Sequence, residues 1–188
     1  MKAVLFDGTP PGNDPCRLGA DALLRALSDA GYEAARFELA GLPMAPCRGC
    51  FACWTDTPGR CPFEDASQPA VAAFAGARVA AFYSPLAFGA WSHTVKKLLD
   101  RMICLVSPFF EASAPTRHKA RYERLPALLG ACWLPAPDAQ REAVFTRLVE
   151  RNAWNLRAPA WRAVALAQGR PWSSWREDCR AAVGRLAP

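Results

Sequence analysis

Five short apolar runs recur along the chain, with helix-like stretches between them. The runs are Lys2–Phe6, Tyr32–Leu39, Ala77–Tyr83, Glu123–Trp133 and Trp161–Ala167. Each has the length of a strand, and none approaches the roughly 20 apolar residues that span a bilayer. Between them, apolar residues return every three or four positions. Leu18, Ala22, Leu23 and Leu27 do so within Arg17–Ala30, and Val95, Leu98, Leu99, Met102 and Val106 within Trp91–Val106. Ala66–Ala75 and Ala139–Asn152 read as further helices, the second with Asp138 as N-cap. Gly31 is the expected C-cap of the first helix. Ser174-Trp175-Arg176-Glu177 is a capping-box pattern that should open the last. Strands alternating with helices argue for an α/β domain whose parallel sheet is covered on both faces. Ligands of such sheets bind at the carboxyl ends of the strands. The loops after strands one, two and three are therefore where chemistry is expected.

Composition narrows the class. With 188 residues the chain is expected to form one domain, and 52% hydrophobic against 21% charged residues excludes a disordered chain. The net charge is +6, but the Arg residues are spread along the chain. That pattern suits a diffuse field that draws anionic partners rather than a nucleic-acid face. The start, Met1 to Gly8, does not read as a signal peptide, because Asp7 and Gly8 end a short apolar run. A soluble, cytoplasmic protein with no membrane or nucleic-acid partner is the expectation.

Ala40–Asp65 is a long irregular segment, and a loop of that length in a compact domain is usually functional. Four of the eight Cys lie in it: Cys47, Cys50, Cys53 and Cys61. The spacing Cys-x2-Cys-x2-Cys-x7-Cys suits a [4Fe–4S] cluster better than zinc, which prefers two separated pairs. Gly49 relieves crowding inside the run, and Pro46 and Pro62 bracket it. The alternative reading is free thiols packed under a loop, or a redox disulfide.

Two further loops carry candidate ligand contacts. Gly8-Thr9-Pro10-Pro11-Gly12-Asn13-Asp14 lies between the first strand and a helix, where backbone N–H groups and the helix dipole suit a phosphate. Thr9 and Asn13 add donors, and Arg17 is within reach. Pro10 and Pro11 lack N–H groups, and Asp14 would repel a dianion or cap the helix. Ser84-Pro85-Leu86-Ala87-Phe88-Gly89 follows the third strand. There Phe88 can lie against a planar ring, and Gly89 lets backbone come close to a ligand. His93 opens the next helix and can face the site or the solvent. Lys96 and Lys97 read as a solvated face.

Taken together, these residues resemble the flavodoxin-like NAD(P)H-dependent FMN reductases, and within them the iron–sulfur flavoproteins. The resemblance runs from residue 1 to about residue 110 and more loosely beyond. That family's first loop reads Gly-Ser-Pro-Arg followed by Asn and a hydroxyl residue, against Gly8-Thr9-Pro10-Pro11 and Asn13-Asp14 here. Its compact Cys motif matches Cys47, Cys50, Cys53 and Cys61. Its third loop, Ser/Thr-Pro-x-Tyr-Phe/Trp-Gly, matches Ser84 to Gly89, and its helix ending Lys-x-x-x-Asp-Arg matches Lys96 to Arg101. Pro11, Asp14 and Ala87 depart from the pattern, standing for the loop Arg, a hydroxyl residue and the Tyr beside the flavin.

The resemblance implies a flavodoxin-like three-layer sandwich over residues 1–188, with a Cys-rich insertion at 40–65. The sheet would have five parallel strands in the order 2-1-3-4-5. It implies FMN with its phosphate on Thr9, Pro10, Asn13 and Arg17, and its ring on Pro85, Leu86, Ala87, Phe88 and Gly89. It implies a [4Fe–4S] cluster on the four Cys, trading single electrons with that flavin, and no catalytic side chain. NAD(P)H or a ferredoxin would be the electron partner, and the protein would be a homodimer or homotetramer, for which Trp154, Trp161, Trp172 and Trp175 offer surface. Two rivals stand beside it. One is a cluster-free NAD(P)H-dependent FMN or quinone reductase. The other is a non-enzymatic zinc or redox-sensing module that has lost FMN, as the altered first loop suggests.

Overall fold

The computed structural model describes residues 1–112 and 115–186. Strands β1 (Lys2–Asp7), β2 (Glu33–Glu38), β3 (Val79–Ala87), β7 (Ala127–Leu134) and β8 (Trp161–Ala167) pair in parallel in the order β2-β1-β3-β7-β8. This is the expected 2-1-3-4-5 order. A two-residue strand, β4 (Ala90–Trp91), folds back antiparallel on the end of β3. A second small pair, β5 (Phe110–Glu111) and β6 (Arg117–His118), stands apart from the main sheet. It lies in Ser107–Tyr122; residues 113 and 114 of that segment lie outside the described residues.

Helices cover both faces. α1 (Asp14–Asp29) and α6 (Trp172–Gly184) pack on one, and α3 (Ser67–Gly76), α4 (His93–Arg101) and α5 (Ala139–Asn155) on the other. Strand residues alternate between the two cores. In β1, Val4 and Phe6 join the α3–α4–α5 side, and Ala3 and Leu5 the α1–α6 side. A strand apolar on both sides reads as an unbroken run, which is why β1 and β3 were legible. No helix among the described residues is long and apolar enough to cross a membrane.

Several boundaries differ from expectation for local reasons. α1 starts at Asp14, three residues before Arg17: the side-chain oxygen Oδ1 of Asn13, the N-cap, accepts from Cys16 N–H at 3.1 Å, and Pro15 sits in the first turn. There its missing N–H is no loss. β3 continues four residues past Tyr83, through the segment expected to be a loop. β1 ends at Asp7 opposite Tyr83, so beyond that point one flank of β3 is free and Pro85 is tolerated. Phe88 and Gly89 then make a two-residue hairpin turn, with φ of 51° and 77°. Positive φ at both positions is the type I′ requirement, met here without its usual Asn-Gly signature. Trp91 belongs to β4 rather than α4, and its Nε1 donates to the Phe82 and Ala131 carbonyls at 3.1 and 3.0 Å. α6 begins at Trp172 behind Pro171, so Ser174 lies within its first turn and donates to the Pro171 carbonyl. The expected capping box does not form. Of the four Trp expected near an interface, Trp175 is buried and Trp172 is exposed.

Gly130 in β7 shows how closely α5 approaches the sheet. A Cβ there would meet Val149 Cγ2 at 2.2 Å and Trp91 Cζ2 at 3.0 Å. Gly130→Ala is expected to destabilise by roughly 1–3 kcal/mol through overpacking, and adding Val149→Ala should recover part of the loss. Urea unfolding midpoints of the single and double variants check this.

Candidate functional site

The loop after β1 is organised around a buried carboxylate. Asp7 is 2% exposed. Its Oδ1 accepts from Thr9 N–H at 2.8 Å and from the Thr9 hydroxyl at 2.5 Å. Its Oδ2 accepts from Arg36 Nε at 3.0 Å and Nη2 at 2.5 Å. Arg36 stands on β2 beside it and also reaches Asp21 at 2.8 Å. Burial disfavours the Arg36 charge, but Asp7 and Asp21 outweigh it and hold the guanidinium above its ordinary value. Thr9 therefore faces inward and is itself buried. Gly8 N–H donates to the Tyr83 carbonyl at 2.7 Å, and Asn13 N–H to the Pro10 carbonyl at 3.3 Å. Arg17 is exposed, as is Asp14.

The β3–β4 hairpin stands next to this loop. Phe88 at its tip is fully exposed, and Ala87 and Leu86 lead up to it half-buried. A Cβ on Gly8 would meet Val95 Cγ2 at 2.7 Å and Ser92 Oγ at 3.2 Å, so the first loop lies against the head of α4. Ser84 Oγ accepts from Ser92 N–H at 2.8 Å. Ser92 Oγ is buried with no hydrogen-bond partner among the described residues. His93 is exposed at the start of α4. The first loop and the hairpin thus meet at the carboxyl ends of β1 and β3. Pro85 to Gly89 fit a planar ring, since they offer one unpartnered aromatic side chain beside small residues. In the first loop Thr9, expected to donate to a phosphate, is committed to Asp7, and Pro10 has no donor to give, whereas among the described residues the side-chain N–H groups of Asn13 have no hydrogen-bond partner and Arg17 is exposed and makes no ion pair.

The Cys loop sits elsewhere. A buried guanidinium, Arg101 at the end of α4, donates from Nη2 to the Phe63 carbonyl at 2.7 Å and from Nε to Ser67 Oγ at 3.0 Å, and pairs with Asp65 at 3.1 Å. Asp65 in turn accepts from Ala45 N–H at 3.0 Å. Trp54, in the short helix α2 (Ala52–Thr55), donates from Nε1 to the Ile103 and Val106 carbonyls, each at 3.0 Å. Lys97, expected on a solvated face, instead donates to the Met44 carbonyl at 3.2 Å. The insertion is strapped along α4 towards its foot. From His93 to Arg101 the helix rises about 12 Å, so the Cys loop and the hairpin stand at opposite ends of it. Strand-end reasoning predicted one locus; the structure has two.

All four Cys of the motif line a single cavity, together with Arg101 and Ile103. Its volume is about 20 Å³. That is room for about one water, so the expected [4Fe–4S] cluster does not fit the loop in this conformation. Among the described residues, no group of three or more His, Cys, Asp or Glu side chains is placed to hold a metal ion, so zinc does not fit either. None of the eight Cys forms a disulfide. Burial, then the neighbouring Cys61, Cys47 and Cys50, push the Cys53 thiol up. Burial, then Cys53 and Cys61, push Cys104 up to about 11. Cys104 thus joins the cluster from 43 positions beyond Cys61, which no spacing could show. Asp7 and Arg36 were likewise missed as site residues; a charge ending a buried strand was the available signal.

Two expectations follow. Burial pushes Asp65 up, but hydrogen bonds from Ser67 and Ala45 and the Arg101 charge outweigh it, so its folded value lies below the ordinary 3.8. Its stabilisation is complete above the unfolded value and lost as pH falls through the folded one. Asp65→Asn should therefore lower Tm at neutral pH, and the gap to the parent should close below about pH 4. Thermal melts across pH show this. Iodoacetamide should label exposed Cys50 first, then half-buried Cys47 and Cys61, leaving Cys53 and Cys104 until unfolding. Peptide mass mapping over time gives the order, and early labelling of Cys53 would contradict the burial.

No protein-family model matches the chain, and no curated protein does. Solved structures do. An NAD(P)H:quinone oxidoreductase from Methanothermobacter marburgensis superposes with TM-score 0.73 at 14% identity, covering 100% of this chain and 99% of that one. A putative quinone reductase from Klebsiella pneumoniae gives 0.71 at 13%, over 99% and 83%. An FMN-dependent NADH-azoreductase from Bacillus anthracis, in complex with FMN, gives 0.64 at 13%, over 100% and 99%. At such identities the likeness is one of fold, and the five-stranded sheet with its 2-1-3-4-5 order makes the same statement: the chain has the flavodoxin-like fold that these reductases share.

Proposed function

We propose that this chain is a flavin-dependent oxidoreductase that passes electrons from NAD(P)H to a small acceptor of the quinone or azo class, without an iron–sulfur cluster. The observation that carries this reading is the unpartnered Phe88, fully exposed beside Leu86, Ala87 and Gly89 where the β3 hairpin meets the first loop. The names of the structural neighbours support it: two are quinone reductases and one an FMN-dependent azoreductase. A bound flavin supplies the electron chemistry, and the protein supplies place and surroundings. In this reading Pro85 to Gly89 form the floor under the ring. The reading includes a homo-oligomer, supported by the exposed side chains of Phe88, Phe109 and Phe110.

One observation favours a second reading, in which the Cys loop takes a [4Fe–4S] cluster: the four thiols line one cavity. The loop would have to widen around it. The purified chain, incubated with flavin and desalted, separates the readings by its absorption spectrum and its iron, sulfide and flavin content. Flavin bands without iron, with NADH or NADPH oxidised in the presence of a benzoquinone or an azo dye, are expected. About four irons per chain would favour the second reading. Phe88→Ala should weaken flavin binding by about tenfold, the size of one ring contact, with the unfolding midpoint unchanged. Absence of flavin bands and of NAD(P)H oxidation would overturn the proposal.

A further inference from the structure

The thiols of the Cys loop take no part in the flavin reading, and their placement suits a chemistry of their own. Cys53 is buried, Cys50 is exposed, and Cys47 and Cys61 are half-buried. The segment from Cys53 to Cys61 is a closed turn. Thr57 N–H donates to the Ala52 carbonyl at 2.9 Å, Gly59 N–H to the Cys53 carbonyl at 3.1 Å, and the Thr57 hydroxyl to the Arg60 carbonyl at 2.8 Å. The turn brings Cys61 back towards Cys53, and both line the cavity of about 20 Å³, which admits about one water and no larger reagent. Of the four motif Cys, only Cys61 also borders a second cavity, of about 340 Å³. Val71, Ala75 and Leu105 give that cavity apolar walls, and Gln68 and Tyr122 add polar groups. It has the size of a site for a small organic molecule. Gln68 Nε2 fixes Cys61 there by donating to its carbonyl at 3.1 Å. Cys104 lines the same cavity, but its thiol donates to the Arg101 carbonyl at 3.4 Å.

We propose that Cys61 and Cys53 form a thiol–disulfide exchange site whose substrate is a small organic disulfide held in the larger cavity. The Cys61 thiolate attacks one sulfur of the substrate. A bond forms between that sulfur and Cys61, the substrate's own sulfur–sulfur bond breaks, and one half leaves as a thiolate. Cys53, reached by no reagent from outside, then attacks the Cys61 sulfur from the small cavity. The Cys53–Cys61 disulfide closes and the second half leaves. The proton lost by each Cys ends on a departing thiolate. Two protein thiols are thus oxidised, and one disulfide is reduced to two thiols. An external dithiol returns the pair to its reduced form by the same exchange. No flavin takes part, so the outcome leaves the flavin reading untouched.

The test treats the reduced full chain with hydroxyethyl disulfide, quenches in acid and maps the products by peptide mass. Wild type should carry a Cys53–Cys61 disulfide and keep no adduct on Cys61, while exposed Cys50 takes an adduct as a surface thiol does. Cys53→Ser should keep the adduct on Cys61. Ala75→Leu, which fills the larger cavity, should slow the reaction at Cys61 by about tenfold and leave Cys50 reacting at its wild-type rate. Should Cys53→Ser fail to fold, the wild-type map and Ala75→Leu decide between the outcomes. A lasting adduct on wild-type Cys61, a disulfide joining a different pair, or an unchanged Cys61 rate in Ala75→Leu would each overturn the inference.

Discussion

The buried guanidinium of Arg101 decides where the Cys-rich insertion lies. It is 2% exposed, and each of its neighbours is a point on that insertion or next to it: the Phe63 carbonyl, Asp65 and Ser67. A buried charge without partners is prohibitively unfavourable, and one with a full set of them is rigid. The insertion is therefore held against the foot of α4 from both of its ends, since Asp65 also binds Ala45 at the far side of the Cys motif. The placement of four thiols in one cavity follows from this clamp and from Trp54, not from the thiols themselves.

A second buried charge organises the other end of the molecule. Asp7 closes β1 and is met by donors from its own loop and by Arg36 from the neighbouring strand. In both places the protein answers a buried ion with hydrogen bonds from backbone or hydroxyl groups as well as with a counter-ion, the arrangement that desolvation demands. The consequence for function differs. At Arg101 the network builds a loop; at Asp7 it takes up donors that a loop of this shape would otherwise turn towards a ligand.

Much of this was open to reading in the chain. The unbroken apolar runs of β1, β3 and β7 have no explanation except burial on both faces. Glu33 and Arg36 mark β2 as half-exposed, and it lies at the edge of the sheet. Asp138 capped α5 as its position suggested. What escaped was local competition. Ser84 to Ala87 looked like a loop because Pro85 interrupts the pattern, yet a strand with one free flank accepts it. Phe88 takes a positive φ that its own chemistry disfavours, because the β3–β4 hairpin, with Trp91 fixed to the Phe82 and Ala131 carbonyls, requires the turn there. Thr9 looked like an outward donor because spacing carries no information on which way a hydroxyl turns.

The sequence by itself determined the class of fold, the order of elements and the presence of a Cys-rich loop. These depend on periodicity, on turn chemistry and on short-range spacing, all of which are local. Only the tertiary structure decided that the Cys loop and the hairpin occupy opposite ends of α4, that Cys104 joins the thiols, and that Asp7 is bound by Arg36 from 29 positions away. Those outcomes depend on which buried charge finds which partner once the strands align. The energy of that choice lies in desolvation, a property of the folded interior that no stretch of chain has alone.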